Sequence, residues 1–138
     1  MQKLSMEEIQ AMNALEGLTG AVAEDMVSSG ETLIFIVREG EVGKAIGKGG
    51  MNLERLREAF GKRIEVVENA PNIRIFLEKL LKPAKIIEMK EEERNGGKMM
   101  TVRVVDEDRG IAIGRNGEKI KRGDAVAKKL FNCGLRVV

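Results

Sequence analysis

The sequence has no histidine, tryptophan or tyrosine, and only one cysteine, Cys133, and four phenylalanines among its 138 residues. Without histidine, a nucleophile activated by histidine and a histidine-ligated metal site are both excluded. A lone cysteine forms neither an internal disulfide bond nor a Cys-x-x-Cys site. The shortage of aromatic side chains disfavours nucleic-acid-binding modules that stack bases on exposed rings, such as RRM and OB folds.

Long apolar segments are also missing, since no run of 18 apolar residues occurs. The amino terminus is charged and amphipathic rather than a signal peptide. We therefore expect a cytoplasmic protein with no membrane partner, and nothing in the sequence predicts a cofactor or a bound metal. An apolar content of 43% is sufficient for a globular core. The chain length leaves room for one ordinary domain or two small ones.

A repeat organises the chain, because residues 42–56 and 109–122 are near copies in which Gly114 follows Gly47 by 67 residues. Both copies contain Gly-x-Ala-Ile-Gly, then a basic residue, any residue and a second glycine. An apolar residue at helical spacing follows in each copy. Internal repetition of this kind fixes the architecture before any local assignment. It predicts two domains, residues 1–69 and 70–138.

The most informative part of each copy is its Gly-x-x-Gly loop, which we name the first clamp (residues 47–50) and the second clamp (residues 114–117). Glycine permits positive φ and lets another backbone come close. A helix that begins at such a loop presents free N–H groups and a partial positive charge, both of which suit a phosphate. Lys48 or Arg115 adds a full charge at the same place. A Gly-x-x-Gly loop of this kind grips about four nucleotides in KH domains.

Other glycine motifs fit this sequence less well. A single Gly-x-x-Gly is weak because many turns contain one, but two copies with the same preceding Ala-Ile and the same basic position are harder to explain as turns. A P-loop requires Lys followed by Ser or Thr after a fixed spacing, which is absent here. A dinucleotide fingerprint fails because Asn52 occupies the position of its third glycine.

The segments AIGKGGMNLERL and AIGRNGEKIKR resemble the paired KH signatures of the NusA family of transcription termination and antitermination factors, in its short archaeal form. The resemblance covers residues 5–138. It implies an α+β fold of two tandem type II KH domains, each a helix-flanked three-stranded mixed sheet, packed as one rigid unit. It also implies a monomer whose partners are single-stranded RNA and RNA polymerase. Bacterial members carry a polymerase-binding domain and an S1 domain, and we expect neither in 138 residues.

Positive charge concentrates around both clamps, although the net charge of the chain is only +2. Residues 44–63 hold six Lys/Arg against two Asp/Glu, and residues 109–129 hold seven against two. Such basic patches are the electrostatic footprint of nucleic-acid binding. We predict RNA contacts at the clamp residues and four flanking cations, namely Gly47, Lys48, Gly49, Gly50, Gly114, Arg115, Asn116, Gly117, Lys44, Arg55, Lys119 and Lys121. Four aliphatic residues either line the groove or belong to the core: Ile46, Leu53, Ile113 and Ile120.

Hydrophobic spacing predicts the order helix, strand, strand, helix, clamp, helix, strand in both halves. Ser5 and Glu8 form a capping box for the first helix. Gly123 and Asp124 fall inside the last helix, where the family usually continues with alanine and a basic residue, and glycine there costs about 1 kcal/mol. The predicted helices are 5–16, 50–60, 73–81 and from the second clamp to 131, and the predicted strands are 21–27, 32–37, 64–67, 84–92, 99–105 and 135–138.

These features favour a non-catalytic RNA-binding protein that acts with RNA polymerase on nascent transcripts and modulates elongation, termination or antitermination. The alternative is a tandem-KH factor of ribosome assembly or rRNA maturation. A third hypothesis is an RNA-processing enzyme with a carboxylate metal site. Its only candidate is the acidic cluster Asp106-Glu107-Asp108, which we interpret instead as a capping and turn segment.

Overall fold

The computed structural model describes residues 4–138, and the chain divides into two compact units, Met1–Asn69 and Ala70–Val138. Each unit contains three helices and one sheet of three strands, within the described residues. Helices and strands follow one another in the same order in both units, as the repeat predicts.

In the first unit the middle strand of the sheet runs antiparallel to one neighbour and parallel to the other. The sheet order is β1-β2-β3, with β1 antiparallel and β3 parallel to β2. The elements are α1 (Met6–Thr19), β1 (Ala23–Ser29), β2 (Thr32–Val37), α2 (Val42–Ile46), α3 (Met51–Phe60) and β3 (Arg63–Glu68).

The second unit has the same topology, with sheet order β4-β5-β6 and the same antiparallel and parallel pairings. Its elements are α4 (Ile73–Leu81), β4 (Ile86–Arg94), β5 (Gly97–Val104), α5 (Arg109–Ile113), α6 (Glu118–Phe131) and β6 (Cys133–Val137). The α+β class and the two three-stranded mixed sheets are therefore confirmed.

Helix α1 begins as predicted but runs three residues further. The Ser5 side chain accepts from the Glu8 N–H, and the Glu8 carboxylate accepts from the Ser5 N–H, which completes the capping box. The helix passes through Gly17, whose φ is not positive. It ends at Gly20, which adopts the left-handed conformation and donates its N–H to the Glu16 carbonyl.

Strand β2 is the centre of the first unit, and all six of its residues are buried. Leu33, Phe35 and Val37 point into the core cluster with residues of α1 and α3, including Leu15 and Leu56. Both faces of this β-branched strand are therefore covered, and its bounds agree with the predicted strand 32–37.

The β4–β5 hairpin extends closer to its turn than the sequence predicted. Asn95 and Gly96 both have positive φ, which is the requirement of a two-residue turn that matches the twist of the strands. Arg94 and Gly97 can therefore pair directly, and the two strands end and begin there.

Gly123 is buried inside α6, and its lack of a side chain allows close packing against neighbouring elements. A Cβ at this position would lie 2.5 Å from Leu80 Cδ2 and 3.0 Å from Leu135 Cδ2. Helix α6 remains continuous and approaches both α4 and β6 here. The next residue, Asp124, accepts a hydrogen bond of 2.8 Å from the Leu135 N–H. The departure from the family pattern is thus a packing feature.

Candidate nucleic-acid interface

The two clamps have the same backbone conformation. Each begins with a glycine, ends with a glycine and carries a third residue with positive φ between them. The φ/ψ pairs are 79/168 for Gly47 and 81/171 for Gly114, 63/19 for Gly49 and 55/26 for Asn116, and 77/13 for Gly50 and 71/13 for Gly117. Because these angles agree within 8 degrees at every pair, the sequence repeat is also a repeat of loop geometry.

Only glycine fits the first position of each clamp. Its φ/ψ combination lies in a region that residues with a Cβ essentially do not occupy. A Cβ at Gly47 would also lie 2.8 Å from Asn52 Cγ, and a Cβ at Gly114 would lie 2.6 Å from Lys119 Cβ. Backbone strain and steric overlap therefore both require the glycines that the motif contains.

Helices α3 and α6 begin directly after the clamps. Gly50 and Gly117 occupy their N-cap positions, and glycine has no side chain that could cap the first turn. The Met51 and Glu118 N–H groups donate to the Lys48 and Arg115 carbonyls within the clamps. Both helix N-termini thus place the positive end of the helix dipole, without a side-chain cap, beside the clamp. Such a terminus is a ready site for an anion.

Short helices α2 and α5 lead into the clamps, and each is tied to the residue that precedes the first strand of its sheet. The Glu41 carboxylate accepts from the Val22 N–H at 2.6 Å, and the Asp108 carboxylate accepts from the Lys85 N–H at 2.8 Å. Glu41 and Asp108 are the N-cap residues of α2 and α5. Glu41 and Asp108 are equivalent residues of the repeat, so each unit has a carboxylate that holds α2 or α5 beside its sheet.

The acidic cluster of the second unit lies at this same place. Asp106–Asp108 form a single 3-10 turn, and Asp108 makes the backbone bond to Lys85 just described. Over residues 4–138, no group of three or more His, Cys, Asp or Glu side chains is placed to hold a metal ion. The segment is thus a turn, and Asp108 occupies the N-cap position of α5 but bonds to Lys85 and makes no capping hydrogen bond to the helix.

Most of the predicted cations are exposed. Lys48 and Arg115 project from the clamps, and Lys44, Arg55 and Lys121 are exposed beside them.

Lys119 differs from these cations because it is half-buried and donates to the Lys82 carbonyl at 3.3 Å. Burial, with a smaller effect of the neighbouring Arg122 charge, lowers the pKa of the Lys119 ammonium below its ordinary value of 10.5.

The predicted groove residues lie between core and surface. Leu53 packs against the core cluster of the first unit, and Ile46, Ile113 and Ile120 are half-buried. Their shared exposure leaves both of the interpretations made from the sequence open.

Two exposed apolar residues beside the clamps were missed from the sequence. Met51, the first residue of α3, is 56% exposed, and Ile111 in α5 is 46% exposed. The feature of the sequence that could have pointed to them is their position next to the clamps, within the repeated segments.

Asn52 is a further residue that the sequence did not single out. Its side-chain Nδ2 donates to the Lys44 carbonyl at 3.0 Å, which joins the start of α3 to α2 across the first clamp. The repeat gave no indication of this contact, because the corresponding residue of the second unit is Lys119.

Within residues 4–138, no helix is both long and apolar enough to cross a bilayer.

Comparison with known proteins supports the resemblance seen in the sequence. The family model described as KH domain matches residues 17–86, from within α1 to the first residue of β4. A probable transcription termination protein NusA of Methanococcus vannielii is 32% identical over 93% of this chain and 74% of its own length. A protein of the same name from Halobacterium salinarum is 32% identical over 94% of this chain and 93% of its own length.

A solved structure shows the same fold over the whole chain. The crystal structure of APE1850 has a TM-score of 0.91 and 36% identity, and the match covers 98% of this chain and 100% of the other. Together with the KH-domain match and relatives above 30% identity over most of both sequences, this shows that the chain belongs to the archaeal NusA family of KH-domain proteins.

Proposed function

We propose that this chain is an RNA-binding transcription factor that grips nascent single-stranded RNA through its two clamps and modulates elongation, termination or antitermination by RNA polymerase. Two relatives carry the name probable transcription termination protein NusA, which favours transcription over ribosome assembly. In this proposal each unit is a type II KH domain. The observation that carries it is the pair of clamps with matching backbone angles, each followed by a glycine-capped helix.

Each clamp offers a phosphate three kinds of favourable contact. The N–H groups of the first turn of α3 or α6 that follow Met51 or Glu118 donate hydrogen bonds, and the helix dipole adds a partial positive charge. The exposed Lys48 or Arg115 supplies a full charge within the loop. Apolar surface beside the clamp, such as Met51 and Ile111, provides contact area for unstacked bases.

We further propose that the two units form one rigid body, so that both clamps hold the same RNA. Asn69 belongs to the first unit, since its N–H donates to the Val37 carbonyl and its side chain donates to Glu24, both at 2.9 Å. Asn72 already caps α4 of the second unit through a 3.0 Å bond to the Ile75 N–H. Only residues 70 and 71 separate these two anchored residues, and Pro71 has a fixed φ.

The role is non-catalytic in this proposal. Asp108, which belongs to the acidic cluster that was the only candidate for an enzymatic metal site, accepts a hydrogen bond from the Lys85 N–H just before β4. Purification from cells with RNA polymerase supports a transcription role. Purification with pre-ribosomal particles and without polymerase would favour the ribosome-assembly alternative.

The clamps are tested by placing Asp at their two central positions, in a variant carrying Lys48→Asp, Gly49→Asp, Arg115→Asp and Asn116→Asp. All four positions are exposed, and a Cβ at Gly49 has no atom within 4 Å. Asp tolerates the left-handed backbone of Gly49 and Asn116 better than most residues. We therefore expect the fold to survive and the affinity for single-stranded RNA to fall by about tenfold or more, because charge-assisted contacts are lost.

A control variant separates a clamp effect from a change in net charge. Replacing Arg74, Lys90 and Lys98 with Glu alters the formal charge by the same amount, and all three are exposed and lie outside the two basic segments. We expect its affinity, measured by fluorescence anisotropy with an RNA of about twelve nucleotides, to stay much closer to that of the original chain. Equal loss in both variants, or unchanged affinity in the folded clamp variant, contradicts the proposal. Comparable affinity for an RNA duplex of matched length also contradicts it.

A further inference from the structure

The two clamps share one conformation but differ in the residues that maintain it. Three of the four residues in the first clamp are glycines, whereas the second has Asn116 in place of Gly49. Glycine loses more conformational freedom on ordering than any other residue. The first clamp therefore needs a stronger external restraint to hold the same backbone angles.

Asn52 is placed to supply that restraint. Its Nδ2 donates to the Lys44 carbonyl at 3.0 Å, so a side chain from the first turn of α3 is bonded to α2. The same side chain covers the entrance of the clamp, because a Cβ on Gly47 would lie 2.8 Å from both Asn52 Cγ and Nδ2. The bond closes a ring of chain that contains the whole clamp, from residue 44 to residue 52.

Lys119, the residue of the second unit that corresponds to Asn52, makes a different contact. Lys119 donates to the Lys82 carbonyl at the end of α4, at 3.3 Å. Its contact joins α6 to α4. The second clamp nevertheless keeps the same angles, with Asn116 at φ 55. A residue with a side chain at this position already limits the loop more than glycine does.

We propose that Asn52 is the positioning residue of the first clamp, which it holds ready for RNA by bridging α2 and α3, and that Asn116 has the corresponding role within the second clamp. This inference rests on the proposed function of the clamps as RNA contacts. A loop already held in its bound conformation binds more tightly, because less conformational freedom is lost on binding.

The test begins with Asn52→Ala and hydrogen exchange without RNA. The reporters are the Gly47 and Gly50 amides, which donate to the Gly43 and Gly47 carbonyls at 2.9 and 3.1 Å. The equivalent second-clamp bonds have the same two lengths, so Gly114 and Gly117 are matched internal references. We expect faster exchange in the first clamp only.

A matched variant, Lys119→Ala, removes the side chain at the equivalent position of the repeat. We expect exchange at the Gly114 and Gly117 amides to stay nearly constant, because the Lys119 ammonium donates to the Lys82 carbonyl after α4 and alanine keeps the Cβ that lies beside Gly114. An equal acceleration of the second clamp in this variant, or no acceleration of the first clamp in Asn52→Ala, overturns the inference.

Rescue provides the sharpest test. Gly49→Asn gives the first clamp the residue of the second, and its φ of 63 and open surroundings accept that side chain. We expect the double variant Asn52→Ala, Gly49→Asn to recover most of the lost exchange protection. Failure of Gly49→Asn to restore any protection overturns the assigned role of Asn116.

RNA affinity connects the restraint to function. We expect Asn52→Ala to weaken binding of single-stranded RNA by roughly two- to tenfold, the effect of losing one hydrogen bond. Ser5→Ala is the stability control, since it removes the α1 cap at a distance from the clamp and lowers stability by a similar amount. Equal loss of affinity in Ser5→Ala, or unchanged affinity in Asn52→Ala, overturns the positioning role. Absence of RNA binding by the original chain would instead refute the proposed function and leave the exchange result standing.

Discussion

The first glycine of each clamp permits a quantitative test of the loop geometry, because a control glycine lies four residues earlier. Gly47 has φ 79 and ψ 168, and a Cβ there would come within 2.8 Å of Asn52. Gly43 lies in α2, its φ is not positive, and nothing lies within 4 Å of a Cβ there. Gly47→Ala and Gly43→Ala therefore introduce the same methyl group into opposite environments.

The expected effects have opposite signs. Alanine at position 47 adopts a backbone region that costs about 1–3 kcal/mol, and the steric overlap with Asn52 adds to this. Alanine at position 43 stabilises a helix by about 0.5–1 kcal/mol relative to glycine. The free energies of unfolding should thus differ by roughly 1.5–4 kcal/mol, with Gly43→Ala the more stable. A difference of this size shifts the melting temperature of a unit this small by several degrees or more.

Urea denaturation of the full chain, followed through NMR signals of the first unit, measures this difference. The repeat supplies a second, independent pair, because Gly110 has open space and Gly114 would meet Lys119 at 2.6 Å. The same order of stabilities is expected for Gly110→Ala and Gly114→Ala in the second unit. If the Gly47 and Gly114 variants proved as stable as their partners, the clamp conformation described above would be wrong.

Three further predictions concern packing, ionisation and the connection between the units. Gly123→Val should destabilise the second unit by about 1–3 kcal/mol through overpacking, and Leu80→Ala in the same chain should recover part of that loss in a double-mutant cycle; additive effects would argue against the contact. Burial, followed by the charge of Glu91, raises the pKa of the Cys133 thiol above its ordinary value of 9.0. The unfolded chain then loses this proton first, so stability should fall as the pH rises past that value, and Cys133→Ala should remove this part of the slope in urea titrations. A long Gly/Ser spacer after Asn69 should weaken binding of an RNA of about twelve nucleotides while sparing four-nucleotide pieces, whereas equal affinity for the long RNA would contradict the rigid tandem.

Local sequence patterns were sufficient for much of the fold. The predicted bounds of α4, residues 73–81, agree with the structure because Asn72 caps one end and Pro83 follows the other. The Ser5–Glu8 capping box and the strand β2 could also be predicted from the sequence, because each depends on residues that are neighbours in the chain. The end of α1 was placed too early because Gly17 resembles a helix stop, although it lies in an unstrained helical turn.

The repeat also located the candidate site, because glycines and a basic residue at fixed spacing set the backbone conformation and the charge of a four-residue loop. Sequence alone identified both clamps and the cations around them. It did not predict the hydrogen bonds from Lys119 to the Lys82 carbonyl and from Asn52 to the Lys44 carbonyl. It also did not predict the close packing of Gly123 against Leu80. The Lys119 and Gly123 contacts join residues that are 37 and 43 positions apart, and Asn52 reaches back across a loop. Such contacts depend on how helices are packed on a sheet, which no local pattern of residues encodes, so they were decided only by the tertiary structure.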